Sequence, residues 1–291
     1  MTWGSFATDD TSAENLLELV QAFIKSGGIE EFHEEARLIL ETVLESDYTS
    51  IRAGLVPKPT LEQIETAFRL ATRRISGAPI AHVLGFTYFY GRCFRLAPGV
   101  LVPRPETEIL VDAAIGLLRD SGWDDPWVLD LYSGCGNILL SIAASEGIGR
   151  GVGIERDPVP LEFGEINRRA FGCENVEFRC GDVSQELDKL ERRFHLVTAN
   201  PPYVATGDIP KLQPEVSHHE KWTALDGGPD GLRHLRVLAG KAPQVIVPGG
   251  RLLSEIGMGQ SDAIERIFSQ WSSIEFKSDL NGIPRVLLAE P

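Results

Sequence analysis

Asn200-Pro201-Pro202-Tyr203 follows a short β-type run, Leu196-Val-Thr-Ala199, and two prolines cannot continue a sheet ladder. The residue before a proline is pushed to extended geometry, which holds Asn200 at the carboxyl edge of its strand. Ligands of open α/β sheets bind at that edge. An Asn amide there offers one carbonyl acceptor and two N–H donors in a fixed plane. That set suits a planar nitrogen such as an amide, a guanidine or an exocyclic amine. A tight turn after a core strand reads the same way in isolation, so the surrounding sequence has to separate the two.

A second constellation lies upstream. Val128-Leu-Asp-Leu-Tyr-Ser-Gly-Cys-Gly136 is a buried strand running into a glycine turn and a helix. Gly134 and Gly136 let backbone approach a ligand at that helix's amino terminus, and Asp130 lies at the end of the strand. Glu155 closes the next strand, where a carboxylate can accept both hydroxyls of a ribose. Asp182, in Cys180-Gly-Asp-Val183, follows the third strand, within reach of an adenine amino group. Acids at three successive strand ends point to a nucleoside site rather than to unrelated loop acids. Leu139 stands where a dinucleotide fingerprint carries its third glycine, so a pyrophosphate is not expected. S-adenosylmethionine, a nucleoside without phosphates, is the expected cofactor.

Alternating elements are needed to align these residues. From Trp127 onward the pattern gives strands over Trp127–Leu131, Gly151–Glu155, Val176–Arg179 and Phe194–Asn200, with helices after Asn137 and through Arg169. A later strand falls at Gln244–Val247 or Arg251–Glu255. A helix near Ala263–Trp271 and strands near Ile274 and Arg285–Ala289 follow. Repeated β-α units imply an α/β fold with a doubly wound, mostly parallel sheet. Before it, apolar residues at helical spacing mark helices behind Thr11/Glu14, over Glu30–Glu45 and after Thr60/Gln63, the first and third opening on capping-box patterns. Phe86-Thr-Tyr-Phe-Tyr and Phe94-Arg-Leu flank Gly91 as a β-hairpin, and paired prolines at 103 and 105 set up a helix beginning near Glu106.

The formal net charge of −14 argues against a broad nucleic-acid or anionic-membrane surface. Cys93, Cys135, Cys173 and Cys180 show no C-x-x-C pairing and read as reduced thiols of a cytoplasmic protein, with no zinc site. No apolar run approaches a membrane span, and no signal peptide is apparent. His218-His219 lack a third ligand nearby, so no metal is expected. Trp123 and Trp127 read as packing residues, and the Glu30–Glu35 acids as a solvated helix face.

The glycine turn and Asn200-Pro-Pro-Tyr203 together resemble S-adenosylmethionine-dependent amino methyltransferases. Leu101-Val-Pro-Arg-Pro-Glu-Thr-Glu108, Ala224-Leu-Asp-Gly-Gly-Pro-Asp-Gly-Leu232, Gly249–Gly257 with Gln260, and Asp279-Leu-Asn-Gly-Ile-Pro-Arg285 narrow the resemblance to the release-factor glutamine N5-methyltransferases, the PrmC/HemK family. It covers nearly the whole chain. It implies a class I (Rossmann-like) methyltransferase domain over 105–291, a hairpin linker over 81–104 and an N-terminal substrate-recognition bundle over 1–80. It also implies that the Tyr132-Ser133-Gly134-Cys135-Gly136 turn holds the methionine part of the cofactor, Glu155 the ribose and Asp182-Val183 the adenine, and that Asp130 and Asn200 also touch the cofactor. Asn200, Pro201, Pro202 and Tyr203, with Arg104 and Glu106, would bind the acceptor, and Asn200, Pro201 and Tyr203 would carry catalysis.

Several residues depart from the family pattern. Tyr132 replaces the first glycine of the turn, His219-Glu220-Lys221 an aromatic-Glu-Pro run, His82 an aromatic and Pro284 an acid. The implied partner is a release factor presenting a Gly-Gly-Gln loop. The altered residues leave a small-molecule acceptor open, such as free arginine or glutamine. A nucleic-acid enzyme and a non-catalytic cofactor-binding module stand behind these.

Overall fold

The computed structural model describes residues 11–191 and 193–291. The chain divides into two compact units, Met1–Gly85 and Phe86–Pro291.

The first unit is helical: α1 (Ala13–Ser26), α2 (Phe32–Leu44), α3 (Tyr48–Arg52), α4 (Leu61–Ile75) and α5 (Ile80–Leu84). Leu16, Leu17, Val20 and Ile24 bury the apolar stripe of α1 against Ile39, Leu40 and Phe68. The capping box of α4 forms as expected: Thr60 Oγ1 accepts from Gln63 N–H at 3.2 Å, and Gln63 Oε1 accepts from Thr60 N–H at 2.9 Å. For α1 the cap lies one residue later than the Thr11 reading. Ser12 is the last extended residue, and its hydroxyl accepts from Asn15 N–H. The solvated reading of the acidic cluster also needs correction at one position. Glu35 is buried and bonded to Arg74 Nε at 2.6 Å, because it falls on the inward stripe of α2.

The second unit opens with the hairpin, β1 (Phe86–Phe89) and β2 (Arg92–Arg95), paired antiparallel. A 3-10 turn over Pro105–Thr107 leads into α6 (Glu108–Asp120). Then come β3 (Trp127–Leu131), α7 (Asn137–Ser145), β4 (Arg150–Glu155), α8 (Pro158–Ala170), β5 (Val176–Cys180), α9 (Val183–Leu187) and β6 (Phe194–Ala199). The chain finishes with α10 (Pro214–His219), α11 (Trp222–Leu225), α12 (Arg233–Lys241), β7 (Ile246–Glu255), α13 (Ser261–Ile267), β8 (Ser273–Ser278) and β9 (Pro284–Glu290). The seven-stranded sheet has the order β5-β4-β3-β6-β7-β9-β8, parallel through β7 and antiparallel at β9 and β8.

Side-chain alternation gives each face its own core. Val128, Leu196 and Leu253 pack with α6 and α7, whereas Leu129, Leu131 and Val197 pack with α12 and α13. Of the two alternative sites for a late strand, β7 takes in all of Arg251–Glu255 but only Ile246 and Val247 of Gln244–Val247, because Gln244 closes a 3-10 turn over Ala242–Gln244. The pairing of β7 with β6 shifts register between Ile246 and Arg251, where Pro248-Gly249-Gly250 interrupts the ladder. Trp123 and Trp127 pack against His195 and Phe194 respectively. Among the described residues no helix is long and apolar enough to cross a membrane.

Candidate functional site

Strand order brings the predicted residues to one edge. Asp182 follows β5, Glu155 ends β4, Tyr132–Gly136 follow β3 and Asn200 follows β6. Adjacent strands lie ~4.8 Å apart, so three steps separate the Asp182 and Asn200 strands by ~14 Å. A cleft of about 980 Å³, including its open mouth, runs along this edge. Tyr132, Gly134, Glu155, Asp182, Val183, Asn200 and Pro202 line it.

The turn after β3 carries positive φ at alternate positions: Tyr132 at 59°, Gly134 at 55° and Gly136 at 80°. At Gly136 a Cβ would meet Phe178 Cζ at 2.6 Å, so glycine is required there on two counts. Gly134 N–H donates to Glu155 Oε2 at 3.0 Å, and Asp157 N–H donates to Oε1 at 2.8 Å. Each oxygen keeps a second lone pair for a ligand. Burial raises the Glu155 carboxyl above its ordinary range, against the lowering by these two amides. Asp182 caps α9 by accepting from Ser184 N–H at 3.0 Å through Oδ1.

Asp130, Ser133, Cys135 and Gly136 do not line the cleft; they build the turn from behind. Asp130 is fully buried and accepts from Thr198 Oγ1 at 2.7 Å. Desolvation pushes its carboxyl up to about 7, and its Oδ2 finds no partner among the described residues. The Cys135 thiol, equally buried, is pushed up to about 12 and stays neutral. Asn167 ties this turn to the hairpin: its amide donates to the carbonyls of Cys135 and Arg95, and its Oδ1 accepts from Arg95 N–H.

At the other end, Asn200 is held by residues to which the sequence reading gave no individual role. Thr107 Oγ1 donates to Glu255 Oε2 at 2.6 Å, so it meets Asn200 Nδ2, 3.3 Å away, as an acceptor. The amide group of Asn200 therefore presents its NH2 to Thr107 and leaves Oδ1 for the site. Tyr203 donates its hydroxyl to Glu255 Oε1 at 3.1 Å. Burial and the adjacent Glu255 raise the Tyr203 phenol, which stays protonated. Glu255 itself is raised by burial, although both donors favour its charged form. Gln260 bridges the Tyr203 and Gly231 carbonyls through Nε2 while Oε1 accepts from Gly257 N–H, fixing the loop that follows Asn200. Pro201 is buried and lies outside the cleft lining, as do Tyr203, Arg104 and Glu106. Arg104 is ion-paired with the buried carboxylate of Glu220. A signal for Glu255 was present in the sequence: it is another acid closing an apolar strand, and β7 neighbours β6.

The cleft offers carboxylates with lone pairs to spare. Two of the cations on its walls, Lys221 and Arg233, are paired with Asp157 and Asp226. This arrangement favours a neutral or cationic nucleoside over a phosphate.

A mostly parallel seven-stranded sheet with this glycine turn and strand-end acids defines a class I methyltransferase, and a methyltransferase-domain family model matches residues 124–272. A model of the PrmC N-terminal domain matches residues 15–85. The release factor glutamine methyltransferase of Bradyrhizobium diazoefficiens is 35% identical, over 96% of this chain and 94% of that protein. The enzyme of the same name from Geobacter sulfurreducens is 31% identical, over 94% of each. The chain belongs to the release factor glutamine methyltransferase family. The fold also resembles the 16S rRNA N2 G1207 methyltransferase of T. thermophilus, with TM-score 0.51 and 20% identity over 70% of this chain and 49% of that one.

Proposed function

We propose that the chain transfers a methyl group from S-adenosylmethionine to the side-chain amide nitrogen, N5, of the glutamine in a release factor's Gly-Gly-Gln loop. The observation that carries this reading is the fixed Asn200 amide, with Oδ1 free, on the same strand edge as Glu155 and Asp182. Glu155 takes the ribose hydroxyls, Asp182 and Val183 the adenine, and the Tyr132–Gly136 turn the methionine part. Asp130 supports that turn from within the sheet. The bound cofactor supplies a methyl group already activated on a sulfonium.

The chain's own task is alignment. An amide nitrogen is a weak nucleophile because its lone pair is delocalised into the carbonyl. Asn200 Oδ1 and the Pro201 carbonyl accept the N–H bonds of the glutamine amide and turn its remaining electron density toward the methyl carbon. Pro202 and Tyr203 hold the planar group, and Arg104 and Glu106 flank the acceptor side. The nitrogen would become acidic on gaining the methyl group in exchange for the sulfonium's bond to it, and its proton would leave to solvent. No general base is needed beforehand, which accords with the protonated Tyr203. Alignment of this kind is worth ~7–11 kcal/mol of barrier.

The helical first unit recognises the acceptor protein. A cytoplasmic location accords with that acceptor and with four free thiols. The test supplies labelled cofactor with purified release factors in one reaction and with free glutamine and arginine in another. Label in the release factor supports the reading, and label only in a free amino acid moves the acceptor to small molecules.

A further inference from the structure

The carboxyl edge of the sheet continues past Asn200. On one side of β6 lie β3, β4 and β5, whose ends carry the Tyr132 turn, Glu155 and Asp182. On the other side lie β7, β9 and β8. Two loops stand at that end of the edge. Gly257-Met258-Gly259-Gln260 follows β7, and residues 279–283 join β8 to β9 beyond the Ser278–Pro284 pair. Because β9 runs antiparallel to β7 with Val286 opposite Glu255, this second loop lies at the carboxyl end of β7. Ile256 N–H donates to the Arg285 carbonyl at 2.9 Å, which joins the two loops at their base.

Both loops are braced. Gln260 Nε2 ties the first to the Tyr203 carbonyl at 3.1 Å. In the second, Asp279 Oδ1 accepts from the N–H groups of Asn281 and Ile283, and its Oδ2 accepts from Arg285 Nε at 2.9 Å. Each nevertheless holds an apolar side chain out in water. Leu280 is fully exposed and Met258 is 71% exposed, two of the three most exposed large apolar side chains among the described residues. Neither packs into a core of the sheet. A tight turn calls for Gly, Asn, Asp or Ser, so folding gives no reason for leucine at this tip.

We propose that Met258 and Leu280 form an apolar ledge that docks the release factor through residues flanking its Gly-Gly-Gln loop. The inference rests on the reading of Asn200 as the place where that loop's glutamine is held. Strands lie ~4.8 Å apart, so two to three steps from β6 put the Leu280 turn ~10–14 Å along the edge from Asn200. An extended chain covers about 3.3–3.6 Å per residue. Three or four residues beyond the glutamine therefore reach the ledge while its amide stays at Asn200. The cofactor takes the opposite direction along the edge, which leaves this side to the protein. Covering the two side chains removes apolar surface from water as the complex forms. The ledge acts on association and takes no part in methyl transfer.

Steady-state kinetics with purified release factor, beside calorimetry for the cofactor, test this. The double variant Met258→Asp, Leu280→Asp should raise KM for the release factor roughly tenfold or more. Its kcat and its Kd for S-adenosylmethionine should stay near the wild-type values. Leu280→Met keeps the apolar surface and should keep the wild-type KM. An unchanged KM in the double variant overturns the inference alone, as does a loss confined to kcat or to cofactor affinity. Failure of wild-type protein to methylate the release factor overturns the acceptor reading and the inference with it.

Discussion

Thr107 Oγ1 lies 2.6 Å from Glu255 Oε2, and that bond decides which way the Asn200 amide faces. A hydroxyl has one proton; once it is given to the carboxylate, only lone pairs remain for Asn200. The acceptor oxygen of Asn200 is thereby turned into the site by residues that need not touch the substrate.

Thr107→Val keeps the shape and removes the hydroxyl. It should lower kcat about 10- to 100-fold through misorientation of Asn200 while leaving cofactor affinity unchanged. It also strips a donor from buried Glu255, at a cost of about 1–3 kcal/mol in stability. Thr107→Ser should restore most of kcat. Steady-state kinetics below the melting transition, with calorimetry for the cofactor, separate these effects. A rise in cofactor Kd with kcat intact would contradict the account.

Asn200→Ala removes the acceptor itself. A fall in kcat/KM of about 10²–10³ is expected, the magnitude for loss of one preorganised polar contact to a reacting group. Circular dichroism should show the fold retained.

Glu155→Gln puts an NH2 where one carboxylate oxygen now meets a backbone N–H, at Gly134 or at Asp157. Cofactor affinity should weaken about tenfold, or ~1.4 kcal/mol, with kcat at saturating cofactor changed much less. Titration calorimetry beside saturation kinetics reads the two separately. Unchanged affinity would remove Glu155 from the cofactor site.

How legible these residues were depended on sequence distance. Trp127–Leu131 could be bounded from its own apolar run between turn signals, and the three strand-end acids follow from counting β-α units. The α3 and α5 helices, five residues each, are too short to show a period. β7 read as two alternatives because Pro248-Gly249-Gly250 interrupts it. Thr107 and Glu255 meet across 148 positions, and Tyr132 and His234 across 102, so no local pattern encodes either pair. Tyr132 could be seen to replace a glycine, but its partner on α12 required the fold.

Asp130 predicts a pH signature. Its folded pKa, about 7, lies above the ordinary 3.8, so the folded state binds the proton more tightly than the unfolded state. The resulting stability is fully present below about pH 4 and is lost as pH rises through about 7. Asp130→Asn, which mimics the neutral carboxyl, should gain in melting temperature relative to wild type between pH 4.5 and pH 8. A gap that stays constant across that range would mean that the folded Asp130 carboxyl is not raised above its ordinary range.

Every role assigned to the cleft serves methyl transfer to a release-factor glutamine. Tandem mass spectrometry of a release factor incubated with the protein and labelled S-adenosylmethionine tests it most directly. One added methyl group is expected on the side-chain amide of the Gly-Gly-Gln glutamine, forming far more slowly with Asn200→Ala. An unmodified glutamine under saturating cofactor, or a methyl group found at another residue, would contradict it.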